Sequence, residues 1–485
     1  MKLSLIFFLL FLQSLFAQVF EKEPHQAFIE KIIEHKSMVD YYVKISDESQ
    51  LAGRPFTGYE LNEISETSAE RFKLRKEALS YIGKTRPLVR NKIKTHSKVP
   101  MTDENIEKIV KSLSVAVTLF DATLYSHLKI NQDKKLRRLL NEKDQAYDKE
   151  GNELKSSILS LFSLKNRKQL LRAMKVYEIY FMNNEKMLSD PSLQYAHQAI
   201  LSSYYYTQFK NDSNIKQLKE ILNVLDGKIS MSFKAQADFF AWLGNNIFYQ
   251  GSKLFGNIVG GFQKRRGILY QDERFIAEVE RELQPLDVLL DKTPFRLTNN
   301  FIPGYWGHTA IYLGSVDDLK AMGIWDHPLV QKHKKDIING KLIVEALRTK
   351  VELNTLKKFS DIDDFALLRL KNPLSSEEQR EHILRALSHV GKRYDFNFDV
   401  ETGKTIVCSE LHYRVFINIT FETTRMLGRS TINVDQVAKQ ALDNGSFEPV
   451  LLFLSGEKIQ ESMFSFFEGL LNYKIDELPE NDERL

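Results

Sequence analysis

A single cysteine, Cys408, stands among 485 residues, and its surroundings give it chemistry. Thr405-Ile-Val runs into Cys408-Ser-Glu-Leu, where the apolar stripe Leu411, Val415, Ile419 begins, so the spacing predicts a helix whose first turn carries the thiol. Unpaired N–H groups and the positive end of the helix dipole favour a thiolate there. The same turn offers a first donor to an anionic intermediate. A thiolate nucleophile needs a base, and eleven histidines are the candidates. His308 follows Gly304-Tyr-Trp-Gly307 and opens an alternating run, with His308, Ala310 and Tyr312 on one face and Thr309, Ile311 and Leu313 on the other. Glu345, inside Leu342-Ile-Val-Glu-Ala, is the third candidate. Buried beside the His308 strand, it would need a partner and would hold the imidazole in its productive tautomer. Tyr305 and Trp306, next to the histidine, are candidate substrate-binding aromatics. His412 is a rival base, one turn beyond the thiol but along the helix axis rather than across a cleft.

These residues need elements to hold them. From about residue 21 to about 283 the apolar residues recur with helical period. Ile106, Val110, Leu113 and Val117 follow a capping start at Thr102 and Asp103, and Leu170, Met174, Tyr177 and Phe181 repeat the spacing. Residues 191–209, 213–225 and 231–250 read as further helices, with no fixed period between them and so no repeat solenoid. Near Asp287 the period changes. Asp287-Val-Leu-Leu, His308-Thr-Ala-Ile-Tyr-Leu, Leu342-Ile-Val-Glu-Ala and Phe365-Ala-Leu-Leu-Arg-Leu read as strands. Residues 375–390, opened by Ser375-Ser-Glu-Glu, together with 408–419 and 457–473, read as helices. The expected fold class is α+β, with a helical region at 18–283, a catalytic domain with a small antiparallel sheet at 284–455, and a C-terminal helix and acidic tail at 456–485.

The order of five short motifs carries a resemblance. Leu286-Asp-Val-Leu-Leu, Gly307-His-Thr-Ala-Ile-Tyr-Leu-Gly, Val344-Glu-Ala, Gly391-Lys-Arg-Tyr-Asp-Phe-Asn-Phe-Asp and Cys408-Ser-Glu-Leu follow one another over about 170 residues. This stretch resembles the YiiX/YaeF-type permuted papain-like enzymes of the NlpC/P60 superfamily, related to the lecithin:retinol acyltransferase group. Histidine precedes cysteine here, as in the circularly permuted branch. The resemblance implies Cys408 as nucleophile, His308 as base, Glu345 as orienting acid and Tyr394 as a further site residue. It implies cleavage of an amide or ester bond in a peptide, peptidoglycan or lipid substrate, without a cofactor or metal. An acyltransferase and a non-catalytic envelope-binding module are the alternatives. An insertion at about 315–340, between His308 and Glu345, is expected to lie over or beside the cleft, as a lid or specificity loop.

Composition bounds the rest. With 43% hydrophobic and 27% charged residues the chain is neither disordered nor collagen-like. A net charge of +4 makes no case for nucleic acid, and one cysteine excludes an internal disulfide and a cysteine-cluster zinc site. Lys2 and the apolar run from Leu3 to Phe16 read as a signal peptide over 1–17, which predicts export to the periplasm or envelope of a bacterium. Ten Lys or Arg against Glu77 in 71–98 form either a patch for an anionic envelope surface or a solvated helix face. The apolar stretch 239–262 reads as a packed interdomain segment rather than a membrane contact, and Asp326, His327 and His333 as a weak metal candidate.

Overall fold

The computed structural model describes residues 23–89, 100–161, 163–210, 265–295, 304–396, 398–426, 429–442 and 444–472. The expected signal peptide, the stretch 239–262, the helices expected at 213–225 and 231–250, and part of the basic run lie outside them. The described chain divides into two compact units. One takes the chain up to Lys44, then Thr67–Arg137 and a segment beginning at Asn152; the other takes Ile45–Glu66, Arg138–Gly151 and the C-terminal region.

The first unit is helical. Its main elements are α1 (Pro24–Leu51, whose last residues belong to the second unit), α2 (Gly58–Lys84, whose first residues do likewise), α3 (Asp103–Ile130), α4 (Leu164–Val176) and α5 (Pro191–Leu201). Thr102 caps α3 by accepting from the Asn105 N–H at 3.3 Å. The stripe Ile106, Val110, Leu113 and Val117 then packs on Met174, Tyr177 and Phe181, with Leu193 and Ala196 of α5 closing the cluster. By length and composition α3 is apolar enough to cross a membrane, but 67% of its most apolar stretch is buried inside the protein, as in a core helix. Arg71 and Arg75, members of the basic run, are turned inward: Arg71 donates to the Ser126 hydroxyl and Arg75 to Ser160 Oγ at 2.6 Å. Lys73, Lys76 and Lys84 face solvent.

The second unit is built on a seven-stranded antiparallel sheet. Its strands are β1 (Val288–Lys292), β2 (His308–Tyr312), β3 (Ile343–Ala346), β4 (Val351–Asn354), β5 (Asp364–Leu370), β10 (Phe447–Leu454) and β11 (Glu457–Lys458), in the order β11-β10-β5-β1-β2-β3-β4. Two minor ribbons pair β6 (Arg393–Tyr394) with β7 (Thr405–Ile406) and β8 (Thr424–Met426) with β9 (Arg429–Thr431). Leu289, Ala310, Tyr312, Ile343, Phe365, Leu367 and Phe453 form one sheet face, covered by Phe275 and Val279 of α6 (Glu273–Glu282). Helices α7 (Val316–Ala321), α8 (Pro328–Ile338), α9 (Ser376–Ser388), α10 (Cys408–Val415) and α11 (Met463–Asn472) complete the unit. The capping box expected at Ser375 is present, with Glu378 as its acid.

Some elements differ from the periodicity reading. The helix expected over 457–473 starts only at Met463, because Ser455 and Gly456 both take positive φ and turn β10 back into β11. The helix expected over 408–419 ends at Val415. The helical region also contributes to the second unit. Residues 265–282 join it through Arg265 to Asp363, Arg266 to Asp361 at 2.9 Å, and α6. From the 45–66 segment, Asn62 donates to the Arg414 carbonyl at 2.7 Å, and Gly58 lies where a Cβ would meet the Tyr413 carbonyl oxygen at 1.8 Å.

From the 138–151 segment, Asp144 Oδ1 pairs with Lys392 Nζ at 2.8 Å, the two side chains 0% and 2% exposed. Burial pulls the Lys392 ammonium below its ordinary range, and Asp144 is the opposing charge that keeps it an ion. Removing one partner strands the other, at a cost of about 3–5 kcal/mol. Asp144→Asn should therefore lower the unfolding midpoint in urea, whereas the paired change Asp144→Leu with Lys392→Met should recover most of the loss.

Candidate active site

Antiparallel register assembles the site. β3 pairs with β2 so that Glu345 stands opposite Ala310, two residues along from His308 and on the same face. That diagonal is bridged: His308 Nε2 donates to Glu345 Oε2 at 2.9 Å. The other carboxylate oxygen accepts from Asn354 Nδ2 on β4 at 2.5 Å, and Asn354 Oδ1 accepts from Lys358 Nζ at 2.7 Å. With Nε2 engaged by Glu345, Nδ1 is the ring nitrogen left to serve the Cys408 thiol. Burial opposes a charged ring, yet the charge and hydrogen bond of Cys408, the bond to Glu345 and the charge of Asp291, opposite His308 on β1, together hold the imidazole well above the ordinary 6.5.

Cys408 is buried at the first residue of α10, as the sequence spacing predicts. The N-cap residue is Val407, which offers no side-chain acceptor to the first turn. Glu410 reaches back to accept from the Val407 N–H at 3.0 Å. Burial, then the nearby charge of Asp395, raises Glu410 well above the ordinary carboxylate value.

His412 anchors this turn. Its Nδ1 donates to the Cys408 carbonyl at 3.1 Å and its Nε2 meets the Thr309 hydroxyl at 3.2 Å, tying α10 to the residue after His308. Burial drives the ring down to about 4 against its backbone bonds, so His412 is neutral near pH 7. Its nitrogens hold backbone and hydroxyl, and it does not face the thiol as a base.

The segment before β2 is strapped from below. Asp435, on the short helix Val434–Ala438, accepts from the Tyr305 N–H at 2.8 Å and the Trp306 N–H at 2.9 Å. Gly304 sits at φ +112° where a Cβ would lie 2.3 Å from the Asp435 carboxylate. The Tyr305 hydroxyl donates to Asp364 at 2.6 Å, and Lys292 Nζ stands 3.5 Å from the centre of its ring. Trp306 is fully buried against Tyr305 and Phe467, so it is a packing residue of the strap and not the substrate contact expected of it. Tyr394 reaches the site through its pairing with Ile406, two residues before the cysteine. Burial, then the charges of Cys408 and Glu410, raise its phenol well above 10.

The insertion does not form a lid. It leaves β2 after Tyr312 and rejoins at Ile343, which pairs with Tyr312, so it grows from the end of the strands opposite His308, about 13 Å away at strand rise. There α7 and α8 pack through Leu319, Val330 and Ile337, and α8 rests on α9. His327 caps α8, its Nδ1 accepting from the Leu329 N–H. Among the described residues no group of three His, Cys, Asp or Glu has a metal-holding arrangement.

Sequence reasoning missed Asn354, His412 in its anchoring role, and Asp435. Asn354 faces Glu345 only because β4 folds back on β3, and β4 had no period strong enough to mark it. Two outcomes test this geometry. Glu345→Gln removes one support of the His308 proton, so imidazole NMR should report a lower pKa for that ring. The raised value also means that proton binding stabilises the fold below about pH 6.5 and that this contribution is lost as pH rises through the folded value. Gly304→Ala must displace Asp435 and strain φ; it should cost about 1 kcal/mol or more of stability and lower turnover by disordering the strap.

No curated protein and no solved structure matches this chain. Residues 282–460, the stretch holding His308, Glu345, Tyr394 and Cys408, match the family model of the permuted papain-like amidase enzymes, YaeF/YiiX, of the C92 family, and this C-terminal region is a permuted papain-like amidase domain.

Proposed function

We propose that the protein is a cysteine hydrolase in which Cys408 is the nucleophile, His308 the general base and acid, and Glu345 the residue that orients the imidazole. The observation that carries this reading is the hydrogen-bonded chain Lys358–Asn354–Glu345–His308, which ends on an imidazole held well above its ordinary value with Cys408 among the causes. The Cys408 thiolate attacks the substrate carbonyl, forming a C–S bond. Negative charge on the carbonyl oxygen is met by the N–H groups of the uncapped first turn of α10 and by Tyr394, whose phenol keeps its proton to donate. The imidazolium gives its proton to the leaving amine or alcohol as the C–N or C–O bond breaks. A water then attacks the thioester, His308 takes its proton, and the acid leaves with the thiolate restored.

The substrate class is an amide or ester in a peptide, peptidoglycan or lipid of the cell envelope, reached after export. The signal-like N-terminus supports that address, and Arg348 supplies an exposed cation near Tyr394 at the rim. Incubating the purified protein with envelope fractions and comparing released fragments by mass spectrometry tests the reading. Cys408→Ser should abolish release, with a loss on the order of 10⁴-fold or more. Because Cys408 is the one thiol in the chain, iodoacetamide labelling reports it alone. His308→Ala should slow labelling at neutral pH severalfold and Glu345→Gln less so; fragment release by Cys408→Ser at the wild-type rate would overturn the assignment.

A further inference from the structure

Within the helical unit, between α2, α3 and α4, lies a cavity of about 120 Å³. Its walls are apolar, with Ile82, Ile109, Leu113, Phe120 and Leu170 among them, yet three arginines, Arg75, Arg86 and Arg167, also line it. Arg75 and Arg167 are held in place by hydrogen bonds. Arg75 donates to Ser160 Oγ at 2.6 Å, Arg167 Nε donates to the Leu161 carbonyl at 2.9 Å, and Arg86 stands one residue after Thr85, whose hydroxyl bonds Ser112 at 2.8 Å.

The charge balance is unusual. Among the described residues no carboxylate lies within ion-pair distance of Arg71, Arg75 or Arg86, and Glu153, the acid nearest Arg75, is engaged by Lys76 at 2.6 Å. The Arg86 Nε is buried and has no hydrogen-bond partner. Burial, then the neighbouring Arg71, brings Arg75 down to about 10, and burial lowers Arg71 and Arg167 as well. Desolvated cations with no carboxylate in reach, as Arg71 and Arg75 are, are costly, and an anion arriving from solvent removes that cost. An apolar wall beneath the cations adds a second requirement, since inorganic phosphate or acetate would leave it empty.

We propose that this cavity is a binding site for an amphiphilic anion, a carboxylate or phosphate ester on an alkyl chain, with the head against Arg75, Arg86 and Arg167 and the chain among α2, α3 and α4. A cavity of comparable size accepts a benzene ring, so it holds about six carbons of the chain. This site is separate from the hydrolase reading: it lies wholly within the first unit and involves no turnover.

Calorimetric titration of the full-length protein with octanoate, octyl phosphate, octanol, acetate and inorganic phosphate tests it. Saturable one-to-one binding of octanoate or octyl phosphate is expected, and which of the two is tighter identifies the head group. Octanol, acetate and inorganic phosphate should each bind at least tenfold more weakly. Ala116→Leu, which fills the cavity, and Arg86→Gln, which removes an unpartnered donor, should each weaken binding at least tenfold. If Ala116→Leu does not fold, Arg86→Gln carries the test, with its fold checked by urea unfolding. Cys408→Ser should bind as the wild type does, so failure of the hydrolase assignment leaves this result readable. Octanol binding as tightly as octanoate, inorganic phosphate as tightly as octyl phosphate, no saturable binding of either anion, or wild-type affinity in a folded Arg86→Gln protein would each overturn the proposal.

Discussion

The pairing of Ala310 with Glu345 decides what the rest of the second unit is able to do. Side chains alternate along a strand, so a slip of one residue between β2 and β3 would carry Glu345 to the opposite face and leave His308 without its carboxylate. The register is held by burial on both sides. Ala310, Tyr312 and Ile343 pack under α6, while Thr309, pointing the other way, bonds His412 of α10. The same register therefore sets two distances at once, from imidazole to carboxylate across the sheet and from imidazole to the first turn of α10 beneath it. β4 extends the arrangement, because Asn354 takes the second oxygen of Glu345 and leaves that carboxylate no freedom to rotate.

Electrostatics then sorts the ionisable groups crowded around Cys408. Two carboxyl groups lie near the thiol in sequence or across the sheet, and their surroundings differ. Glu345 meets hydrogen-bond donors on both oxygens. Glu410 is buried beside Asp395, and that burial pushes it well above the ordinary carboxylate range. Two histidines diverge in the same way. His308, facing thiol, carboxylate and Asp291, favours the cation, whereas His412, enclosed by backbone and a hydroxyl, stays neutral. The ring that favours the cation thus lies on the cysteine side of the sheet, while burial opposes charge on Glu410 and on the second ring.

How much of this was legible in the sequence follows from range. The start of α10 at Cys408, the strand at His308 and the capping box at Ser375 are local patterns, and the chain displays them directly. Glu345 was readable as a candidate because a carboxylate in an apolar strand needs a partner, but its contact with His308 required the register. Asp435 lies 130 residues from Tyr305 and Asn62 lies 352 from Arg414; no spacing rule reaches that far. The boundary between helical and catalytic regions was placed by a change of period, yet 45–66 and 138–151 keep a helical period while packing with the sheet unit. The basic run misled for a related reason. Charge density marks it as surface, but two of its arginines use the inward side of α2, which composition alone does not resolve.

The position of the insertion follows from how the two ends of β2 and β3 are used. Strands β2 and β3 have two ends, and the functional groups crowd one of them: His308, the Gly304–Trp306 strap and, through α10, Cys408. At the other end, between Tyr312 and Ile343, a pair of helices adds its own small core on α9 without altering the register. Among the described residues, the crowded end also holds Tyr305 with its hydroxyl pinned to Asp364, Tyr394, and the exposed Arg348. The short, strapped approach to His308 thus does more than aim the base: it ties one end of β2 to Asp435 and Asp364, while the insertion adds its core at the other end of the same strand.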